Sequence, residues 1–87
     1  MKAYSEHTAA QQDFIDQMTR KLMVDWCHET ISRGEDDFCN SDRRLGVYLA
    51  YAVSKKWLSI KEERSDQINH YRILATGWQT GTRFLKR

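Results

Sequence analysis

Four side chains of this 87-residue chain are candidates for metal binding or nucleophilic chemistry: Cys27, His28, Cys39 and His70. Structural zinc sites normally take two pairs of ligands, with the members of each pair a few residues apart. This chain offers one adjacent pair and two isolated residues, so the spacing does not predict a metal site. Cys27 and His28 also do not form a nucleophile and its base, because neighbours on a helix project about 100° apart.

Two further segments suggest ligand binding but lack its requirements. The glycines of "GWQTG", residues 77–81, come without the lysine and the serine or threonine that complete a phosphate-binding loop. The consecutive acids Glu35, Asp36 and Asp37 could bind a cation weakly, but a solvated loop explains them better. We therefore expect that the protein is not an enzyme and takes no metal and no cofactor.

The segment Asp42 to Lys56 predicts a helix with two different faces. Asn40 and Ser41 before it are strong capping residues. Its core stripe comprises Leu45, Leu49, Ala52 and Val53, with Tyr48 beside it. Its outward face comprises Arg43, Arg44, Val47, Tyr51, Ser54 and Lys55. An exposed valine and tyrosine are unfavourable unless a partner covers them, so the outward face predicts a binding surface.

The charges of the chain are separated along its length. Residues 1–40 carry four basic and eight acidic side chains, a net charge of −4. Residues 41–87 carry ten basic and four acidic side chains, a net charge of +6. This asymmetry indicates a polyanionic partner for the second half, and an ordinary solvated surface explains it equally well.

The length predicts one domain that covers residues 1–87, and its helical and strand patterns together predict the α+β class. No apolar run approaches the roughly 20 residues that span a bilayer, and the N-terminus lacks the apolar segment of a secretory signal. Two cysteines do not make a disulfide framework, so we expect reduced thiols in a cytoplasmic protein without membrane contact.

Around the predicted outward-facing helix, the pattern indicates four further elements. A long helix is expected from Thr8, its cap, to about Arg33, with Gly34 as its stop and with a break near residues 19–23 left open. Its apolar stripe contains Phe14, Ile15, Met18, Leu22 and Trp26, and Ile31 is a further candidate member. The segment "GEDDFCNSD" that follows forms either a brief helix or a tight connection, and Phe38 and Cys39 within it reach the core.

A β-hairpin follows the outward-facing helix. "WLSIKEE" alternates, with Leu58 and Ile60 on one face and Lys61 on the other, and "RSDQ" supplies the turn. The second strand, "INHYRILA", places Tyr71 and Ile73 on one face and Arg72 and Leu74 on the other. A last short element of open type, with Thr76 as its cap, contains Trp78, Phe84 and Leu85.

The segment "SDRRLGVYLAYAVSKKWLSIKEERSDQINHYRILATG" resembles a winged helix-turn-helix domain. In that family a recognition helix leads into an apolar pair that begins the first wing strand, as "KKWLSI" does here. The segment "YRILATG" resembles the second wing strand of that family, in which an aromatic residue, an arginine and two aliphatic residues precede a threonine and a glycine. The resemblance covers residues 40–77, about half of the chain, and implies a small winged-helix domain. Whether residues 35–39 form the first helix of the helix-turn-helix stays open.

The resemblance implies that the protein binds duplex DNA as a transcriptional regulator, and a phage or mobile-element origin fits its size. The helix Asp42 to Lys56 would enter the major groove. Arg43 and Arg44 would contact guanine and Val47 a thymine methyl group. Sugar or phosphate contacts would come from Tyr51, Ser54 and Lys55 in the helix and from Lys61, Arg64 and Arg72 in the wing.

Plainer interpretations accompany these roles. Arg43 and Arg44 also suit a solubilising first helical turn, and the wing cations also protect edge strands against aggregation. The rival function is protein binding, as a small inhibitor or adaptor in which Glu35 to Phe38 imitates an acidic strand. A homodimer formed through the N-terminal helix is a further expectation, and it is compatible with DNA binding.

Overall fold

The computed structural model describes residues 7–40, 42–62 and 69–82. Helix α1 (Ala9–Ser32) begins at the predicted cap, Thr8. The Thr8 hydroxyl accepts a hydrogen bond from the Gln11 amide at 3.2 Å, and the Gln11 side chain accepts one from the Thr8 amide at 2.9 Å. This reciprocal capping box confirms the predicted start. The helix continues without a break through residues 19–23.

The buried side of α1 differs from the predicted apolar stripe. The buried residues are Ile15, Thr19, Met23, Trp26, Cys27 and Thr30. Phe14 and Ile31, by contrast, are 56% and 51% exposed. Two threonines lie in the middle of the buried side, and Thr19 satisfies its hydroxyl by donating to the Ile15 carbonyl at 2.6 Å. Because threonine counts as polar in a periodicity argument, the apparent stripe is displaced toward Phe14.

Three antiparallel strands form the sheet of the described residues, in the order β1-β3-β2. They are β1 (Asp37–Asn40), β2 (Leu58–Glu62) and β3 (Asn69–Ile73). The predicted hairpin is confirmed as β2 and β3, while its expected turn, residues 64–67, lies outside the described residues. Buried Tyr71 and Ile73 and exposed Arg72 also confirm the predicted alternation in β3.

Strand β1 corrects the prediction of a brief helix or tight connection. It pairs with β3 and places Phe38 opposite Tyr71. Phe38 is buried as predicted and stacks on Trp26 and Tyr71, with centroid distances of 5.2 and 5.7 Å. Cys39, also expected in the core, is exposed, because successive strand residues face opposite sides of a sheet. Residues 35–39 therefore do not form a helix.

The predicted outward-facing helix is present as α2 (Gly46–Ser54), after a single 3₁₀ turn at Arg43–Leu45. The cap of that turn is Asp42, whose carboxylate accepts a hydrogen bond from a first-turn backbone amide at 2.9 Å. Asn40 does not cap the turn, and its side-chain amide donates to the Asp42 carbonyl at 3.0 Å instead. Ser41, the other expected cap, lies outside the described residues.

The closing element is helix α3 (Ala75–Thr82), although it contains two glycines. A Cβ atom added at Gly77 would lie 2.0 Å from the Trp57 carbonyl oxygen, and one at Gly81 would lie 2.4 Å from the Cys27 sulfur. The glycines thus permit α3 to pack directly against α1 and against the residue before β2.

The expected cap of this last element is different in the structure. The Thr76 hydroxyl lies inside α3 and donates a hydrogen bond to the Lys56 carbonyl, which ties the helix to the end of α2. Phe84 and Leu85 lie outside the described residues. None of the helices described in residues 7–40, 42–62 and 69–82 is long and apolar enough to cross a membrane.

Candidate functional site

Four residues form the candidate outward surface around α2: Arg43, Val47, Ala50 and Ser54. Steps of three and four residues place Val47, Ala50 and Ser54 on one side of α2, and Arg43 precedes them in the 3₁₀ turn. Arg43, Ala50 and Ser54 are exposed, and Val47 is half-buried. We call these four residues the α2 stripe. Sequence reasoning found three of them and missed Ala50, whose small side chain gives no signal of its own.

Tyr51 does not belong to the outward face, so the structure does not offer its side chain for the expected contact with sugar or phosphate. The residue is 7% exposed, and its ring packs edge-on against Trp57 at a centroid distance of 5.7 Å. Its hydroxyl donates a hydrogen bond to the Asp16 carboxylate at 2.5 Å. A phenol ring of this size is favourably buried when its hydroxyl finds such an acceptor. Tyr51 therefore attaches α2 to α1.

Asp16 is the centre of a small polar network between the two helices. It accepts a hydrogen bond from Arg20 at 2.8 Å, and the Arg20 guanidinium lies 5.1 Å from the centre of the Trp57 ring. Burial alone would raise the pKa of Asp16, but the hydrogen bonds from Arg20 and Tyr51 hold it below its ordinary value. This network brings Arg20 to the neighbourhood of α2.

The two arginines before α2 differ in their surroundings. Two nitrogens of Arg44 donate hydrogen bonds to the Asp42 carboxylate, at 3.1 and 3.0 Å, and these hydrogen bonds lower the pKa of Asp42. The Arg44 side chain is nevertheless 88% exposed, so the pair is weak and open to competition. Arg43 is exposed at the start of the α2 stripe, and Lys55 is exposed at the other end of α2.

The predicted wing cations lie beside acidic residues of β1 and of the segment before it. The Lys61 ammonium pairs with the Asp37 carboxylate, and this hydrogen bond lowers the pKa of Asp37. The Arg72 guanidinium lies 3.7 Å from the Asp36 carboxylate. The fold thus brings the acidic first half of the chain onto its basic second half. Arg64, the third predicted wing contact, lies outside the described residues.

A charged cleft of about 530 Å³ lies between the end of α1 and the sheet. On one wall Arg33 contacts Glu29 at 2.9 Å and Glu35 at 3.8 Å. Cys39 and His70, which are paired across β1 and β3, line the cleft as well. No three of the described His, Cys, Asp and Glu side chains come together as a set that could hold a metal ion.

Cys27 differs from Cys39 in its chemistry. It is fully buried, and its thiol donates a hydrogen bond to the Gly77 carbonyl at 3.7 Å. Burial raises the pKa of Cys27 to about 11. Cys27 therefore acts as a small packing residue between α1 and α3, because the reactive thiolate form is disfavoured there.

A second depression, of about 440 Å³, lies between the first turns of α1 and the start of α2. We call it the α1–α2 groove. It is lined mainly by apolar side chains, including Ala10, Ile15 and Val47, and the exposed ring of Phe14 stands at its edge. The exposure of this phenylalanine, rather than its helical spacing, marks the groove as a candidate contact surface.

No protein-family model, no curated protein sequence and no solved structure matches this chain. The winged-helix resemblance therefore rests on the sequence pattern of residues 40–77.

Proposed function

We propose that this protein is a small winged-helix-like regulator that binds duplex DNA through the outward side of α2. The observation that carries the proposal is the α2 stripe, of which Arg43, Ala50 and Ser54 are exposed and Val47 is half-buried beside the α1–α2 groove. Buried Leu49 and Ala52 hold the other side of α2 against the rest of the domain. An α-helix with side chains is about 10–12 Å across, which suits a major groove about 12 Å wide.

In this proposal, different residues of α2 and its ends contact different parts of the duplex. Arg43 stands at the N-terminal end, where a recognition helix contacts base edges, and its guanidinium matches the two acceptors of guanine. Val47 and Ala50 present methyl groups to thymine. Ser54 and Lys55, at the other end of α2, bind the backbone phosphates. Arg44 joins them if phosphate displaces its exposed contact with Asp42.

The hairpin after α2 supports the winged-helix interpretation, but its charges reduce the role of the wing. Lys61 and Arg72 are paired with Asp37 and Asp36. A cation that already pairs with a carboxylate contributes less to phosphate binding, because it must either leave that carboxylate or bring its negative charge close to the phosphate. The helix-turn-helix half also departs from the family pattern, since β1 occupies the place of a first helix and α1 supports α2 instead.

The test is binding to a labelled random duplex of about 30 base pairs across a salt series from about 50 to 250 mM. The Arg43→Ala/Lys55→Ala variant should lose at least about tenfold in affinity, whereas the matched Lys61→Ala/Arg72→Ala variant should lose less than about threefold. Absence of binding at the lowest salt would overturn the proposal, because non-specific affinity is strongest there.

The second candidate function is protein binding, and the α1–α2 groove is the observation that favours it. Phe14 is an exposed aromatic residue beside an apolar depression, an arrangement common at protein interfaces. The partner would be a second copy of this chain or another protein for which this chain serves as inhibitor or adaptor. The α1–α2 groove and the α2 stripe share Val47, so a partner in the groove would also affect DNA binding.

A further inference from the structure

Helices α1 and α2 end in the same backbone motif with different residues at its critical position. After α1, the amide of Gly34 donates to the Ile31 carbonyl at 2.9 Å, and the next amide donates to the Thr30 carbonyl at 3.1 Å. After α2, the amide of Lys56 donates to the Val53 carbonyl at 3.1 Å, and the next amide donates to the residue-52 carbonyl at 3.0 Å. Both pairs of hydrogen bonds form the Schellman motif.

The Schellman motif requires a left-handed backbone at its critical position. Gly34 has a φ of 69° and Lys56 a φ of 65°. Glycine adopts this conformation without a steric penalty, whereas a residue with a Cβ atom is disfavoured there. Lys56 is the one residue other than glycine with a positive φ in the described ranges. The chain thus uses the favourable residue at one helix end and an unfavourable one at the other.

The backbone contacts of Lys56 explain why this position is left-handed, but they do not explain why lysine occupies it. Its amide closes the Schellman motif, and its carbonyl accepts the hydrogen bond from Thr76 that ties α3 to the end of α2. Glycine would make both contacts equally well. Lysine and glycine therefore differ at this position in backbone strain and in the charged side chain.

The side chains of Lys55 and Lys56 differ from those cations that pair with a carboxylate. Arg20, Arg33, Arg44 and Lys61 each pair with a carboxylate, whereas Lys56 is exposed and forms no ion pair with any residue of the described ranges. It directly follows Lys55 at the end of α2. The charge of Lys55 helps to lower the pKa of Asp16. The Asp16 carboxylate is already hydrogen-bonded to Arg20 and Tyr51.

We propose that Lys56 is a phosphate-binding residue, kept in the left-handed conformation because its cation, with that of Lys55, contacts the backbone of duplex DNA bound along the α2 stripe. This inference rests on the proposed DNA-binding function. The alternative is that the positive charge only favours the C-terminal end of the α2 dipole, which would make lysine stabilising at this position.

The variant Lys56→Gly separates these two roles. If lysine is strained and serves binding, the variant should raise the melting temperature by about 4–8 °C. Its affinity for a random duplex of about 30 base pairs should fall roughly eightfold at 0.1 M salt, and the log–log salt slope should decrease by about 0.9, as expected for one lost phosphate contact. The loss should be the same for unrelated duplex sequences, since phosphates carry no sequence information.

Two matched variants provide the controls. Lys56→Arg keeps the charge and the strain, so it should retain both the affinity and the original melting temperature. Gly34→Lys places a cation in the same motif at the end of α1, where it should lower the melting temperature without raising the affinity.

Three outcomes would overturn the inference, and they are distinguishable. A lower melting temperature for Lys56→Gly would show that lysine stabilises the helix end. A higher melting temperature with unchanged affinity and salt slope would show that Lys56 does not bind phosphate, while the proposed function stands. Failure of the unmodified protein to bind the duplex at low salt would remove the proposed function together with this inference.

Discussion

The Tyr51 hydroxyl lies 2.5 Å from a carboxylate oxygen of Asp16, and this hydrogen bond joins α2 to the long helix behind it. The contact spans 35 residues of sequence. It places a large aromatic side chain between the helices, so that only smaller side chains remain on the outward side of α2 between its basic ends. Tyr51 thereby determines which face of α2 is available to a partner.

The first prediction concerns this contact. Tyr51→Phe should lower the free energy of unfolding by about 1–2 kcal/mol, because it removes a hydrogen bond to a charged acceptor. Affinity for DNA should stay within about twofold of the unmodified protein, since the side chain is not on the α2 stripe. Urea unfolding and duplex binding measure the two effects. A large loss of affinity with unchanged stability would contradict the buried position of Tyr51.

The dependence of stability on pH follows from Asp16. Its pKa is lower in the folded protein than in the unfolded chain, so its contribution is complete above the ordinary carboxyl pKa of about 3.9 and is lost as the pH falls through the folded pKa. Asp16→Asn should therefore be less stable than the unmodified protein at pH 7, and the difference should shrink below about pH 4. Urea unfolding at each pH measures this difference.

Asp13→Asn is the matched control for this pH experiment. Asp13 is an exposed residue of the same helix, three positions away, so its substitution should leave the pH profile nearly unchanged. An equal change in both variants would mean that general charge on α1, rather than the network around Asp16, controls the acid sensitivity.

The elements that sequence reasoning predicted well are those with local signals. Thr8 and Gly34 carry the cap and the stop of α1 within a few residues, and the alternation around Tyr71 identifies a strand by itself. Strand β1 was not predictable in this way, because its partner β3 lies about 30 residues later and its acidic start resembles a loop. The pairing of Lys61 and Arg72 with acidic residues was not predictable for the same reason, since only the pairing of β1 with β3 brings these charges together.

The two glycines of α3 are required by tertiary packing, which local sequence signals do not show. Intrinsic propensity treats Gly77 and Gly81 as helix breakers, yet the close packing of α3 leaves no room for a Cβ atom at either position. Gly77→Ala should lower the free energy of unfolding by about 2–4 kcal/mol, because the added atom meets a backbone carbonyl that moves little. Gly81→Ala should have a similar effect against Met23 and Cys27.

Gly34→Ala is the comparison variant in this series. Gly34 has open space around its Cβ position and a left-handed φ, so alanine should cost only about 1–2 kcal/mol. Urea unfolding of the three variants gives their order directly. A smaller effect at Gly77 than at Gly34 would contradict the direct packing of α3 against Trp57.

The pairing of acids with the wing cations leads to a prediction on DNA binding. Asp36→Asn/Asp37→Asn should release Lys61 and Arg72 and thereby increase the affinity for a random duplex and steepen its salt slope by up to about 1.8, the value for two added phosphate contacts. The measurement is the same salt series, carried out at equal protein concentrations.

The control must change the net charge equally without releasing a cation. Asp13→Asn/Asp25→Asn does so on exposed positions of α1, and none of the ion pairs found in the described residues uses these carboxylates. Equal gains in both double variants would indicate that reduced overall repulsion, rather than release of the wing, increases the affinity.

The exposed ring of Phe14 allows a test of self-association that does not disturb the fold. Its side chain is 56% exposed, so Phe14→Ser should change the free energy of unfolding by less than about 1 kcal/mol. If α1 forms the interface of a homodimer through the α1–α2 groove, sedimentation equilibrium should show a dimer that weakens by at least about tenfold in this variant, since buried aromatic residues dominate such interfaces. Ile31→Ser, which removes an equally exposed apolar residue at the far end of the same helix, should leave the dimer intact. A protein that stays monomeric at all accessible concentrations would exclude this interface and leave the groove to a different protein partner.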